Sequence, residues 1–199
     1  MSAPAHPAWD PLVRITHWGI AAAVIFNGLI LEGGEQPHIW VGYAALSLLA
    51  LRLIWGFIGT EEARFSAFPP SISGAWAHLR AIRARRQVPH RSHNPLGTLM
   101  VYAVWATLAV IIATGLTMES EVFLETDDRD HATLIMEDDD DADESETSLI
   151  IEEIHEAAAN LLLSLALLHV GGVVFEMARG DRSLIRRMTI GITTGSRQE

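Results

Sequence analysis

Four long apolar runs alternate with polar segments along the chain. They predict membrane-spanning helices at about residues 15–31, 39–59, 96–118 and 149–177. A bilayer core takes roughly 20 apolar residues in an α-helix, and each run is close to that length or exceeds it. Asn94 and Pro95 form a start signal for the third helix, and Thr147 or Ser148 can cap the fourth. The pattern therefore predicts one all-α domain over residues 1–199, an integral membrane four-helix bundle.

Arginines are distributed unequally between the two sides of such a bundle. One side holds Arg14, Arg64, Arg80, Arg83, Arg85, Arg86, Arg91, Arg179, Arg182, Arg186, Arg187 and Arg197. Only Arg129 falls in the opposite loops. Because arginine-rich loops stay in the cytoplasm, both termini and the linker between the second and third helices are predicted to be cytoplasmic. No A-x-A cleavage site follows the first apolar run, so we interpret it as a helix and not as a signal peptide.

Composition narrows the chemistry that the bundle can perform. Of the 199 residues, 49% are hydrophobic, which is typical of a small multi-pass membrane protein. The absence of cysteine excludes disulfides, thiolate-held iron–sulfur clusters, covalent c-type haem attachment and cysteine nucleophiles. A redox metal would therefore need nitrogen, oxygen or methionine sulfur ligands. Acidic and basic residues occupy different loops, and nothing in the sequence supports nucleic-acid binding.

Four histidines lie at two depths of the predicted bundle. His17 begins the first helix and His169 lies deep in the fourth, both toward the cytoplasm, whereas His38 and His155 lie at the outer ends of their helices. His155 and His169 are separated by close to four helical turns, or roughly 21 Å, and project from nearly the same face. Two imidazoles at matched depth are what each of two noncovalent haems b requires. We predict axial ligation of an inner haem by His17 and His169, and of an outer haem by His38 and His155.

A simpler interpretation exists for each histidine taken alone. A single histidine at a membrane interface is more often an ordinary polar residue, and His38 alone would be ambiguous. A pair in one apolar helix is harder to explain this way, because histidine is costly in hydrocarbon and is usually retained for a function. His90 and His93 lie in the basic linker, where they can approach a quinone or simply be solvated. His6, His78 and His131 are not assigned.

The chain resembles the bacterial cytochrome b561 group, which includes the b-type cytochrome subunits of membrane-bound nickel–iron hydrogenases. The resemblance is carried by WDPLVRITHW, HIWVGYAALSLLALRLIWGFIGTEEARFSAF, HNPLGTLMVYAVWATLAVIIATGL and HEAAANLLLSLALLHV, with the tail SLIRRMTIGITTG. It implies a four-helix bundle with two haems b held by the same histidine pairs. It also implies quinone chemistry near the cytoplasmic side, where Arg14 and the Arg64 region lie.

Two arginines allow alternative roles within that picture. Arg14 and Arg52 can pair with haem propionates or quinone oxygens. Arg14 is equally well explained by topology, and Arg52 by snorkelling toward the lipid headgroups from near the end of its helix. Both alternatives stay open.

An acidic segment departs from the family pattern. Residues 119–148, which contain EVFLETDDRDHATLIMEDDDDADESETS, are predicted to form a periplasmic loop. Its carboxylates would attract a cationic c-type cytochrome and repel superoxide. A solvated, partly disordered loop that aids solubility is the alternative. The EF-hand spacing is absent, which leaves only loose binding of divalent cations.

Together these observations predict transmembrane electron transfer in the bacterial inner membrane. Two haems b would connect the quinone pool with a periplasmic redox protein, a cationic c-type cytochrome, and quinone oxidoreductase activity is an option. The alternatives are a hydrogenase or dehydrogenase membrane anchor, a superoxide:quinone oxidoreductase, and a haemless bundle that senses cations. The expected partners are membrane lipid, quinone and the cationic protein, and a homodimer is a further assembly to consider.

Overall fold

The computed structural model describes residues 10–84, 95–131, 141–178 and 188, with side chains described outside residues 121–145. Its helices are α1 (Pro11–Ile25), α2 (Gln36–Ile58), α3 (Ile72–Arg83), α4 (Pro95–His131) and α5 (Asp141–Ala178). A π-helical turn, Phe26–Ile30, continues α1. The segments long and apolar enough to cross a membrane are Pro11–Ile30, Gln36–Ile58, Pro95–Ser120 and Glu146–Ala178. The chain is an all-α four-helix membrane bundle, so the predicted fold class is confirmed.

Local signals explain where the helices begin. The Asp10 carboxylate accepts hydrogen bonds from the backbone N–H groups of Leu12, at 2.8 Å, and Val13, at 3.4 Å, and thereby caps α1. The helix α4 begins at Pro95, as predicted, whereas Asn94 lies outside the described residues. The prediction that Thr147 or Ser148 caps the fourth helix is wrong, because α5 already begins at Asp141. Carboxylates in that first turn favour a helix N-terminus.

The core of the bundle draws one aliphatic side chain from each span. Ile20, Leu49, Leu108 and Leu162 are buried against one another. Elsewhere the spans expose large apolar side chains, among them Leu29, Ile54, Phe57, Leu167 and Leu168. An apolar exterior of this extent is what contact with lipid requires. The bundle therefore has a thin internal core and a hydrophobic outer surface.

The acidic segment is more ordered in its backbone than the predicted loop. The helix α4 continues to His131 and α5 starts at Asp141, so residues 119–131 and 141–148 are helical. No glycine or proline occurs between residues 119 and 148, and without these breakers a helix can continue past its apolar run. Residues 132–140, which contain the rest of the predicted loop, lie outside the described part of the chain.

The linker between the second and third spans contains helix α3, which the apolar runs did not predict. Its start is set by Ser71, whose hydroxyl accepts the Gly74 N–H at 3.0 Å. We call this side of the bundle the basic end; it comprises α3, the segment 59–71 and the adjoining ends of the spans. The opposite side, which we call the acidic end, comprises the π-helical turn, the start of α2 and the helical residues 119–131 and 141–148.

Candidate functional site

The four histidines come from three helices and form two facing pairs, in which the side chain of His169 is exposed and the other three are partly buried. Near the basic end, the ring centroids of His17 (α1) and His169 (α5) are 6.1 Å apart, with the rings inclined by 56°. Near the acidic end, those of His38 (α2) and His155 (α5) are 6.4 Å apart and inclined by 52°. The structure thus brings together the same two pairs that depth along the helices indicated, and α5 contributes one ring to each.

The spacing within each pair suits a shared metal ion. A metal–imidazole bond is about 2 Å long, and each ring centre lies roughly 1 Å behind its ligating nitrogen, so two rings on opposite sides of one ion have centres about 6 Å apart. The observed 6.1 and 6.4 Å agree with that value. Within the described ranges, no group of three or more His, Cys, Asp or Glu side chains could hold a metal ion. A site with two protein ligands suits a metal that brings its own equatorial ligands, as haem iron does.

Two of the four rings carry a buried nitrogen atom without a partner. Nδ1 of His17 and Nδ1 of His38 are buried and have no hydrogen-bond partner. A buried polar atom without a partner costs about 1–3 kcal/mol. The packing of the helices therefore leaves Nδ1 of both rings without a partner.

His155 has a different environment, because α4 supplies it with a polar neighbour. The Thr114 hydroxyl oxygen lies 2.9 Å from Nδ1 of His155. Next to it, Gly115 provides the space for the ring, since a Cβ atom there would lie 3.3 Å from Cε1 of His155. Sequence reasoning missed both residues. The available signal was a small polar residue beside a glycine in a charge-free span, a combination common where membrane helices approach closely.

His38 is held through its backbone by the π-helical turn. The side-chain amide of Asn27 donates a hydrogen bond to the His38 carbonyl oxygen at 3.0 Å and so joins α1 to the first turn of α2. Oδ1 of Asn27 is buried without a partner. Insertions of this helical type are frequent at functional sites. Gly28 in the same turn lies against α5, where a Cβ atom would be 2.8 Å from Cδ2 of Leu163.

Arg52 is buried within the protein, which argues against the alternative that it snorkels toward the headgroups. Its side chain is only 5% exposed, and Nη2 donates to the carbonyl oxygen of Ala63 at 3.3 Å. The guanidinium carbon lies 4.9 Å from the ring centroid of Trp105 and 5.9 Å from that of Phe68. The segment after α2 folds back over the arginine, and aromatic faces and a carbonyl replace the headgroups as its partners.

Arg14 and Arg52 both retain buried donor atoms at the basic end. Nε and Nη1 of Arg14, and Nη1 of Arg52, have no hydrogen-bond partner. Arg14 precedes His17 by three residues in α1, so the two side chains share a face of that helix. Guanidinium N–H groups in this position suit a carboxylate or a carbonyl oxygen of a bound group. Arg64, in contrast, donates from Nε to the Gly59 carbonyl at 2.8 Å.

The remaining histidines stay unassigned. His78 lies in α3, the side chain of His131 is not described, and His6, His90 and His93 lie outside the described residues.

Comparison with known proteins adds one match. The model of a protein family described as prokaryotic cytochrome b561 matches residues 8–191, a range that includes all four spans and both histidine pairs. No curated protein and no solved structure matches the chain.

Proposed function

The chain belongs to the prokaryotic cytochrome b561 family, and from that premise we propose that it relays electrons across the membrane through two haems b, between quinone and a cationic redox protein. Family membership implies a multi-pass bacterial membrane protein that binds haem b and transfers electrons. The number of haems, their ligands and the two partners are what we propose beyond it.

The two facing histidine pairs carry the proposal. His17 and His169 would hold one haem near the basic end, and His38 and His155 a second near the acidic end, because both spacings fit two axial imidazoles. Haem supplies an iron that gains and loses one electron. With one histidine from each helix bound on either side, the iron would have no position left for oxygen or substrate, so each group would serve electron transfer.

The two histidine pairs lie at different depths, which lets the relay cross the membrane in steps. His155 and His169 lie on one continuous helix, roughly 21 Å apart at 1.5 Å per residue. That is a large part of a hydrocarbon core about 30 Å thick. An electron that crosses the membrane would therefore travel in shorter steps, between each surface and the nearer pair and between the two pairs.

The basic end is where we place the quinone. The unpartnered donor atoms of Arg14 and Arg52 lie at this end and can bind quinone carbonyl oxygens or haem propionates. The excess of arginine at the same end supports a cytoplasmic orientation. The quinone would then react close to His17 and His169.

The acidic end is where we place the redox partner. Between residues 119 and 148 the chain carries a dense set of carboxylates and one arginine, and this charge would attract a cationic protein such as a c-type cytochrome. The same charge repels superoxide, which disfavours superoxide oxidation at this surface. A hydrogenase or dehydrogenase anchor would differ in forming a stable complex with an iron–sulfur partner in place of a salt-sensitive encounter.

The experiment that tests the proposal is a haem count on the detergent-purified protein. A pyridine haemochrome assay should give two haems b per polypeptide, and a reduced-minus-oxidised spectrum should show the sharp bands of low-spin iron. Addition of a quinol should reduce the haems, and a cationic c-type cytochrome should reoxidise them. A single haem would contradict the assignment of two ligand pairs, and a colourless protein would contradict the proposed function as a whole.

A further inference from the structure

The contact between Thr114 and His155 bears on which ring nitrogen of His155 holds the proton. The Thr114 hydroxyl lies 2.9 Å from the carbonyl oxygen of Val110 and 3.0 Å from that of Ile111, one turn earlier in α4. A carbonyl oxygen can only accept, so the single hydroxyl proton of Thr114 has two acceptors within its own helix. When that proton is donated to the backbone, the lone pairs of the hydroxyl oxygen face His155 at 2.9 Å. This arrangement favours Nδ1 of His155 as the donor.

The location of this proton determines which ring nitrogen can bind a metal. A neutral imidazole carries one proton, and protonation at Nδ1 leaves the lone pair on Nε2. We propose, building on the proposed function, that Thr114 is a positioning residue: it holds His155 as the Nδ1-protonated tautomer, fixes its ring orientation and presents Nε2 to the iron of the haem at the acidic end.

The space around the ring supports this role. A Cβ atom at Gly115 would lie 3.3 Å from Cε1 and 3.7 Å from Nδ1 of His155, so the ring rests directly on the backbone of α4. The ring contacts the backbone at Gly115 on one side and forms a hydrogen bond with Thr114. These two contacts leave it little freedom to rotate. Thr114 and Gly115 thus form a seat for His155 that His17 and His38 lack, since Nδ1 of each of those rings is buried without a partner.

The hydrogen bond also has an electronic consequence. An acceptor at Nδ1–H makes the opposite nitrogen a stronger donor to a metal. A stronger donor stabilises the ferric more than the ferrous state and lowers the reduction potential. Removal of the Thr114 oxygen should therefore raise the midpoint potential of one haem, the one that His155 ligates, and leave the other unchanged.

Three variants separate this role from general packing. Thr114→Val keeps the shape of the side chain and removes its oxygen, and Thr114→Ser restores a hydroxyl. Thr117→Val is the matched control, because Thr117 lies in the same helix and, among the described residues, its hydroxyl bonds to the Ala113 carbonyl alone, at 3.0 Å. For each purified protein, we would measure haem content, the midpoint potentials of both haems by redox titration, and the low-spin ferric signals by electron paramagnetic resonance.

We expect Thr114→Val to retain two haems, with a raised potential and a shifted resonance signal for one of them, while Thr114→Ser and Thr117→Val resemble the wild type. Unchanged potentials and signals in Thr114→Val would overturn the inference and leave the proposed function intact. An equal shift in Thr117→Val would also overturn it. If Thr114→Val loses a haem, retention in Thr114→Ser supports the hydroxyl's role, and loss in both overturns it. A wild-type protein without haem would overturn both proposals.

Discussion

The basic end of the bundle is organised by aromatic packing, whereas the acidic end is organised by hydrogen bonds between polar side chains. At the basic end, the Phe65 ring lies 5.8 Å from that of Trp105 and 6.3 Å from that of Tyr102, measured between centroids. Arg52 is buried among these rings. Nδ1 of His17, at the same end, has no hydrogen-bond partner, a feature that it shares with Nδ1 of His38 at the acidic end.

Polar contacts take over at the acidic end. The Thr114 hydroxyl oxygen lies 2.9 Å from Nδ1 of His155, and Asn27 donates to the backbone of His38 at 3.0 Å. The phenol of Tyr43 also donates to the Glu119 carboxylate and links α2 to α4. The comparison suggests that the two histidine pairs depend on different kinds of contact. Changes of volume should be most harmful at the basic end, and loss of hydrogen bonds at the acidic end.

Removing one histidine, from either pair, should give the largest effect, which is the loss of one haem. It is the most direct test of whether the two ends hold separate sites. His169→Ala should lose the haem at the basic end and keep the other, because His38 and His155 are untouched. His155→Ala should give the reverse. Haem content and redox titration would measure both, and His131→Ala, which alters a histidine outside the pairs, is the control.

The two single variants must lose different haems for the pairing to hold. If both retain two haems, or if both lose the same component of the redox titration, the assignment of His17 with His169 and His38 with His155 is wrong. Loss of haem in His131→Ala would indicate that the assay reports general instability.

Two glycines of α2 differ in how closely other side chains pack against them. A Cβ atom at Gly56 would lie 2.4 Å from the Phe65 ring, whereas one at Gly42, nearer the acidic end, would meet nothing within 4 Å. Gly56→Ala should therefore displace the aromatic ring and lower the free energy of unfolding by about 1–3 kcal/mol. Gly42→Ala should stay within about 0.5 kcal/mol of the wild type.

Thermal denaturation of both variants in the same detergent tests this expectation, with tryptophan fluorescence as the signal. The pair is matched, since each changes one glycine to alanine in one helix. Equal melting temperatures for Gly56→Ala and Gly42→Ala would show that Phe65 yields at little cost and that the basic end is not closely packed.

Much of the fold and the pairing of the histidines could be predicted from the sequence, because both depend on local patterns. An apolar run of bilayer length indicates a span wherever it occurs, and helix geometry alone places His155 and His169 on one face. Positions counted along such spans also place His17 at the depth of His169 and His38 at the depth of His155. Whether these rings bind iron stays a prediction.

The details that sequence reasoning missed depend on which side chains meet across helices. The seat formed by Thr114 and Gly115 exists only because α4 packs against α5 at that level. Arg52 near a helix end suggested snorkelling, but the return of residues 59–68 over it decided its burial. The extension of α4 and α5 into the acidic segment was hidden by its charge, which resembles that of a solvated loop.

The acidic segment offers the smallest expected effect and tests whether the two ends face different partners. Replacement of Asp138, Asp139, Asp140 and Asp141 by asparagine should slow haem oxidation by a cationic c-type cytochrome at low ionic strength, by roughly tenfold or less. At high salt the difference should vanish, because exposed charges are screened within a few ångströms. Stopped-flow rates over a range of salt concentrations would measure this.

The reaction at the basic end provides the internal control. Reduction by quinol should be unchanged in the aspartate variant, since we propose the quinone site at the basic end. Glu61→Gln combined with Glu62→Gln removes two exposed carboxylates from the basic end. In this control the rate with the cationic cytochrome should depend on salt as it does in the wild type. If both sets of replacements change that rate alike, only the net charge of the protein matters. A rate indifferent to the aspartates at every salt concentration would show that the cationic partner does not dock on the acidic end.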